Sequence, residues 1–526
     1  MQTNTNTNTM RTLIITLLAG ATTLLAGCAA TGDRAPGTAG AASLTAAQLP
    51  AAVNRVSWGI NQRTWQQAQT LGYDAWLEQQ LRPAPAVLPA AAQAQIDALT
   101  ITTTPLPQLV AELEQQREDI NKNTDDDEKK AARQAYQQAL LGTAREAAAR
   151  SLLRDLYSTN QLQEQMTWFW MNHFSIYAGK SNLRVLLGDF EENAIRPHAL
   201  GKFRDLLGAT VRHPAMLRYL DNEQNAANRV NENYARELME LHTLGVDGGY
   251  SQRDVQELAR ILTGVGVNLK PVSGNEPKVK KELQSQYVRS GLFEFNPNRH
   301  DYGNKQFLGQ PIKGRGLAEV DEALDRLSRS PATARFISHK LAVYFVADEP
   351  PPALVDRLAA VFLSSDGDIA AVLRAMLTST EFAQSLGQKF KDPLHYVVSA
   401  VRLTYDDKVV LNTGPMAVWI NRMAQPLYGR QTPDGYPLTQ PGWASPGQMT
   451  TRFEIAKAIG SGNAGLFKTE GPQPQERAAF PQLASPFYYQ QLQPTLGPKT
   501  RQALEQAASP QEWNTLLLSS PELMHR

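Results

Sequence analysis

The chain has 526 residues, 52 Lys and Arg against 51 Asp and Glu, 42% hydrophobic residues and one cysteine. That length fits two or three domain-sized units or one large helical body, and the hydrophobic content is enough for a real core. A net charge of +1 offers no electrostatic case for nucleic acid, and a single cysteine excludes disulfides within the chain.

The first ten residues, MQTNTNTNTM, are low-complexity. Residues 13–25 then form an apolar run interrupted by Thr and Gly, too short to span a bilayer. With Arg11 ahead and small residues behind, this reads as a secretory signal peptide over residues 1–27. It closes on Leu25-Ala26-Gly27-Cys28, which is similar to the bacterial lipobox. That motif implies cleavage before Cys28, lipidation of its thiol and new amino group, and attachment to the membrane. Ala29 rather than Asp follows, the pattern of outer-membrane delivery. Residues 28–44, rich in Ala, Gly and Thr, form a flexible tether.

From Thr45 onward the hydrophobic period is helical. A short helix capped by Thr45 runs over 53–58, and one or two more fill 63–81, with Trp65, Trp76 and Leu77 inward. A Pro-rich passage leads to a long polar helix over 109–149, in which TDDDEKK is a solvated turn or a helix start. The next helix ends in WFWMNHF, residues 168–174. This cluster reads first as core packing and second as a stacking platform for a flat ligand, with Asn172 and His173 as polar contacts. Arg196-Pro197-His198 opens a helix through Leu207, and His213-Pro214 starts another.

The organising stretch is NENYARELMELHTLG, residues 231–245, made of good helix formers with Gly245 as its stop. At about 100° per residue, Tyr234, Ala235, Leu238, Met239 and Leu241 share an apolar sector with His242. Arg236 lies four residues from Glu232 and from Glu240, the spacing of a solvated ladder. Glu237 differs: it borders the apolar sector, has no basic residue three or four positions away, and has Glu240 three ahead. Both proximity and partial burial raise a carboxyl pKa. His242 reads as a satisfied core histidine. Neither Glu-x-x-His nor HExxH spacing is present, so no metal site is assigned and no cofactor is named.

Ser251-x-x-Asp254 is a capping-box variant for a helix over 255–262. Residues 265–313 lose the helical period, and Tyr287, Val288, Leu292, Phe293 and Phe295 suggest a short hairpin. In the loop after it, adjacent His300 and Asp301 are a candidate general base and its orienting carboxylate, although neighbouring residues more often point apart. Helices return over 320–327, 331–346 and 352–363, and Asp368 caps another. Two more, over 393–404 and 415–423, precede a Pro/Gly-rich loop, residues 425–443, whose Tyr428, Tyr436 and Trp443 argue for order.

Several long words, WxNHF, HPAMLxYLDN, NENYARELMELHTLGVDGGY, HDxGxKxFLG, PATARFI and PDGYP, occur in order between residues 53 and 452. Together they resemble the bacterial domain-of-unknown-function 1800 family; one departure is Val265, where the family carries Trp. The resemblance implies a secreted or envelope-exposed, mainly helical protein, and carries no catalytic residue over. It also suggests a partner resembling sulfatases and alkaline phosphatases, from a second family often encoded beside it.

The expected architecture is therefore mainly α, a large multi-helical body over 45–460 with a β-hairpin insertion near 265–313 and the aromatic loop. Further helices follow over 461–526. Two functions stay open. One is a hydrolase or lyase on an envelope or extracellular polysaccharide, with Glu237 and Glu240 as acid and base. Asn233, Arg236, Asn172, His173 and His300 would then bind, and the aromatics would form subsites. The other is a non-catalytic lipoprotein that binds or helps assemble a polymer or a partner enzyme.

Overall fold

The structure, a computed structural model, describes residues 44–270, 277–406, 408–468 and 480–526. The leader, Cys28 and the tether expected before residue 44 lie outside the described residues. Helix takes up 61% of the described residues, which hold one three-stranded and one two-stranded sheet, so the protein is mainly α with a small β insertion.

Local chemistry sets most element boundaries. The region 62–81 forms two helices, Gln62–Leu71 and Tyr73–Leu81, because Gly72 (φ +79°) breaks the path; Asn61 caps the first by accepting from the Thr64 N–H. Thr45 does not cap the first helix, which is Leu49–Val56; it makes a turn with Gln48 instead. The expected long polar helix is a hairpin of Leu106–Lys122 and Asp126–Tyr157. TDDDEKK is the helix start: Asp125 accepts from the N–H groups of Asp127 and Glu128, and three acidic residues fill the first turn, where the helix dipole favours them. Arg196-Pro197-His198 does not open a long helix. It is one 3-10 turn, and the helix proper, Phe203–Arg212, begins after Gly201, where Phe203 N donates to Gly367 O.

A repeated device starts the helices of the second half: a capping side chain followed by Pro at the first helical position. Ser330, Asp392, Ser445 and Ser509 all accept a backbone N–H from the first turn of helices Pro331–Phe345, Pro393–Thr404, Pro446–Gly460 and Pro510–Leu518. His213 does the same for Pro214–Tyr219, with its other nitrogen 2.9 Å from Asp189. Asp368 caps Ile369–Leu377, and Ser251 and Asp254 complete a capping box, both as expected.

The centre is the helix Gln161–His173, in which every residue except Gln163 is buried. Trp170, Phe169 and Phe174 pack with Phe203, Tyr344 and the His173 ring, so the aromatic cluster is core.

The insertion holds more strand than one hairpin. β1 (Val265–Val267) and β2 (Val288–Ser290) both pair antiparallel with β3 (Phe293–Phe295), and β4 (Lys305–Phe307) pairs with β5 (Gln310–Ile312). Behind them His300 turns away from Asp301. Its Nδ1 lies 2.7 Å from the Thr263 carbonyl and its Nε2 2.9 Å from Glu319, which also takes Lys305 Nζ at 2.5 Å. Asp301 pairs with Arg260 instead. The side chains of His300, Lys305 and Glu319 are all fully buried, so His300 here ties the insertion to helix Leu317–Ser328.

Burial pushes the Glu319 carboxyl up, but hydrogen bonds from His300 and Lys305 outweigh it and hold it below the usual glutamate range. Glu319→Ala leaves a buried ammonium and imidazole without their anion. It should cost about 3–5 kcal/mol in urea unfolding at pH 7. Because the folded pKa is the lower one, the ionised carboxylate's contribution is full above the unfolded value of 4.5 and fades as the pH falls through the folded value. The gap between wild type and variant should therefore narrow in acid.

Candidate functional site

Four segments named in the sequence converge beside the end of the central helix. The first is Asn172-His173 itself. The second is helix Asn233–Glu240, which is shorter than expected. It stops at Glu240, and the next residues unwind, with the N–H groups of His242 and Leu244 reaching back five residues to Glu237 and Met239. Gly245 (φ +83°) completes the stop, its α-carbon packed so that a Cβ would lie 2.9 Å from Phe336. The third is helix Pro331–Phe345, and the fourth is the 425–443 loop.

The loop is fastened to Asn172 at two points: its Nδ2 donates to Tyr436 O at 3.0 Å, and its Oδ1 accepts from Tyr436 N at 2.7 Å. Tyr428 donates to Glu191, and Trp443 Nε1 to Pro437 O, so the aromatic residues of this loop hold it in one shape. Asp434 is paired with Arg430 at 2.7 Å and bonded to the Thr432 hydroxyl.

Beneath the loop lies a basic cluster. His173 Nε2 is 3.0 Å from the carbonyl of His242, an oxygen that can only accept, so Nε2 carries the proton. Nδ1 is then the lone pair, and it takes a hydrogen bond from Lys340 Nζ at 2.9 Å. Burial, then Lys340 and His242, hold the His173 ring well below its ordinary pKa. Burial, then Lys340, take His242 down to about 3. Burial also pulls Lys340 down to about 8, opposed by Asp434. His242 is not the satisfied core histidine expected: among the described residues neither ring nitrogen has a hydrogen-bond partner. Its ring sits 5.0 Å from that of Phe174 and 5.9 Å from His173.

Glu237 faces the same region from the other side. It is half-buried and makes no side-chain hydrogen bond or ion pair among the described residues. Burial, then Glu240, raise its pKa, with Arg236 opposing and Asp434 adding to the rise. Tyr219, whose hydroxyl donates to Gln431 O, is pushed up to about 12 by burial, then Asp434 and Glu237. Asp434 is thus the charge felt by Glu237, Tyr219 and Lys340 alike.

The other expected residues separate from this set. Arg236 bridges Glu232 and Gln252 on the outer face, as the ladder reading expects, though not Glu240. Asn233 Nδ2 donates to Leu220 O. His300 belongs to the Glu319 cluster. Lys340, Tyr219 and Asp434 were not singled out in the sequence. A signal existed for Lys340: it sits in register with Thr333, Ile337 and Tyr344, the buried stripe of its helix, where a lysine is out of place. Among the described residues no group of three or more His, Cys, Asp and Glu side chains is placed to hold a metal ion.

A mainly helical body carrying a clamped aromatic loop over a His–Lys contact, with an unpaired glutamate alongside, defines the class of protein. The words that build this site are those of one family, and the comparison bears that out. The chain belongs to the family described as "Protein of unknown function (DUF1800)", matched over residues 51–525. Neither the curated proteins nor the solved structures yield a match.

The unpartnered His242 makes a sharp stability prediction. At pH 7 both folded and unfolded forms are neutral there, but below about 6.5 the unfolded chain takes up a proton that the folded ring, at about 3, refuses. Folding is therefore opposed by about 1.4 kcal/mol per pH unit as the pH falls through that window. His242→Leu should flatten this acid slope and leave the melting temperature at pH 7 unchanged or higher. A variant that melts clearly earlier at pH 7 with an unchanged slope would show that the ring has a partner.

Proposed function

We propose that the chain is an envelope lipoprotein, anchored through lipid on Cys28 at the outer membrane, that cleaves an envelope or extracellular polysaccharide by carboxylate acid/base chemistry. The observation carrying this reading is Glu237: half-buried, unpaired, raised by burial and by Glu240, and close to a fixed aspartate. A carboxyl in that setting keeps its proton nearer neutrality than a free glutamate does, which suits a general acid. Glu240 lies one helical turn on, with Cβ atoms about 5–6 Å apart by helix geometry, within reach of a bond held between the two. Tyr250, half-buried and also raised by burial and Glu240, offers an apolar face to a sugar ring.

Glu237→Gln keeps the shape and removes the titrating group. It should shift stability by no more than about 0.5 kcal/mol and abolish both complementation of a deletion strain and release of reducing ends from envelope polysaccharide. Full complementation by this variant would dismiss the catalytic reading.

A second reading rests on a different observation. Val230 and Val246, on either side of the Glu237 helix, are 42% and 70% exposed. An apolar pair of that kind suits a non-catalytic binding or assembly lipoprotein that docks a secreted sulfatase- or phosphatase-like partner. Val246→Asp failing to complement while Glu237→Gln succeeds would favour it.

The anchor has its own test. Cys28→Ala should leave an unprocessed or soluble form; a variant still sedimenting with outer membranes after a salt wash would refute lipid attachment.

A further inference from the structure

A cavity of about 160 Å³ lies between helix Leu49–Val56, helix Pro393–Thr404 and the segments after residue 490. None of its lining residues belongs to the candidate site. Pro50, Ile60, Ala400, Leu403, Leu518 and Leu523 supply its apolar lining, and Asn54, Ser399, Gln491, Glu522 and His525 its polar lining. Lys391, only 5% exposed, is part of the same lining. Its backbone is tied down, with its N–H donating to Met524 O and its carbonyl accepting from Arg452. Its ammonium has no hydrogen-bond or ion-pair partner among the described residues.

The surroundings sharpen this. Arg55, Arg452 and Arg526 are buried nearby, and none of them pairs with an Asp or Glu side chain among the described residues; Arg55 also donates to Arg526 O. Arg526 takes Gln165 Oε1, His395 Nε2 and the Tyr344 carbonyl, and Arg55 takes the carbonyls of Phe345 and Ser385. The carboxylates at hand, Asp392 and the cavity-lining Glu522, accept other hydrogen bonds. Asp392 holds the backbone N–H and Nδ1 of His395, and Glu522 holds the Gly497 N–H and the Thr500 hydroxyl. Burial, then Arg526 and Arg452, take the Lys391 amine down to about 7. A buried cation without a counter-ion is costly unless something supplies one.

We propose that this cavity binds a small apolar monocarboxylate, with Lys391 as its counter-ion. Size sets the apolar part: a cavity of roughly 150 Å³ takes benzene. Charge sets the head group. The uncommitted Lys391 ammonium, with Pro50, Ala51, Ile60 and Ala400 beside it in the lining, matches a single carboxylate on an apolar body. The site is independent of the polysaccharide reading, and its test does not depend on activity.

The experiment is calorimetric titration of the full chain with benzoate, benzamide and inorganic phosphate, on wild type, Lys391→Met and Ala400→Phe. Benzoate should bind wild type, and lose about tenfold or more in affinity with Lys391→Met and with Ala400→Phe, which fills the space. Lys391→Met should also melt higher than wild type in the absence of ligand, since it removes an unpaired buried charge; this shows that the variant is folded. Benzoate protection of wild type in thermal melts should vanish in the same variant. No benzoate binding at millimolar concentration, equal binding by Lys391→Met, or phosphate or benzamide binding as tightly as benzoate would each overturn the proposal.

Discussion

A helix buried on every side cannot leave its polar side chains to water, and that constraint organises this molecule. In Gln161–His173 most polar residues address other elements. Gln161 holds the Trp58 N–H and the carbonyls of Asp155 and Ser158, and Glu164 pairs with Arg196. Gln165 accepts from Arg526 and donates to the Arg55 carbonyl, while Asn172 takes the aromatic loop and His173 takes Lys340. A lost hydrogen bond at any of these stations strands a buried polar group, at about 1–3 kcal/mol each. The central helix therefore specifies its partners as well as packing against them.

The same constraint explains the electrostatics of the candidate site. The burial that orders His173 and His242 also strips their protons, so a cluster of three basic side chains contributes little positive charge beyond Lys340. Glu237 stands just outside that shell. It is half-buried, and burial and Glu240 raise its pKa. Asp434 is fixed by Arg430 and Thr432, so its influence on Glu237 and Lys340 does not depend on where a flexible side chain happens to lie.

Periodicity and capping residues made the helical class, the 251–254 capping box, the Asp368 cap and the β insertion legible in the sequence, because these are local effects. Helix ends were less legible where a local signal was read too far. Gly245 does stop its segment, but the helix proper has already unwound after Glu240, and Pro197 opens only a single turn. The site was half legible. Glu237 stood out because its own helix offers it no partner. Lys340 and Asp434 acquire meaning only from contacts across long stretches of chain, and His300 looked reactive beside Asp301 because Glu319, its true partner, is 19 residues away. The lack of partners for His242 is a tertiary fact that no local pattern encodes.

The Asn172 clamp has a consequence for the order of folding. Its two hydrogen bonds close over 264 residues, and Gln165, two turns earlier, meets Arg526 across 361. Closing such loops costs entropy that is recovered only when the distant segment docks. As the chain grows from its N-terminus, the central helix has its aromatic residues and hydrogen-bonding groups long before it has their partners. The helix cannot be fully buried until the last third of the sequence arrives, so the candidate site and the native core must form in the same late step.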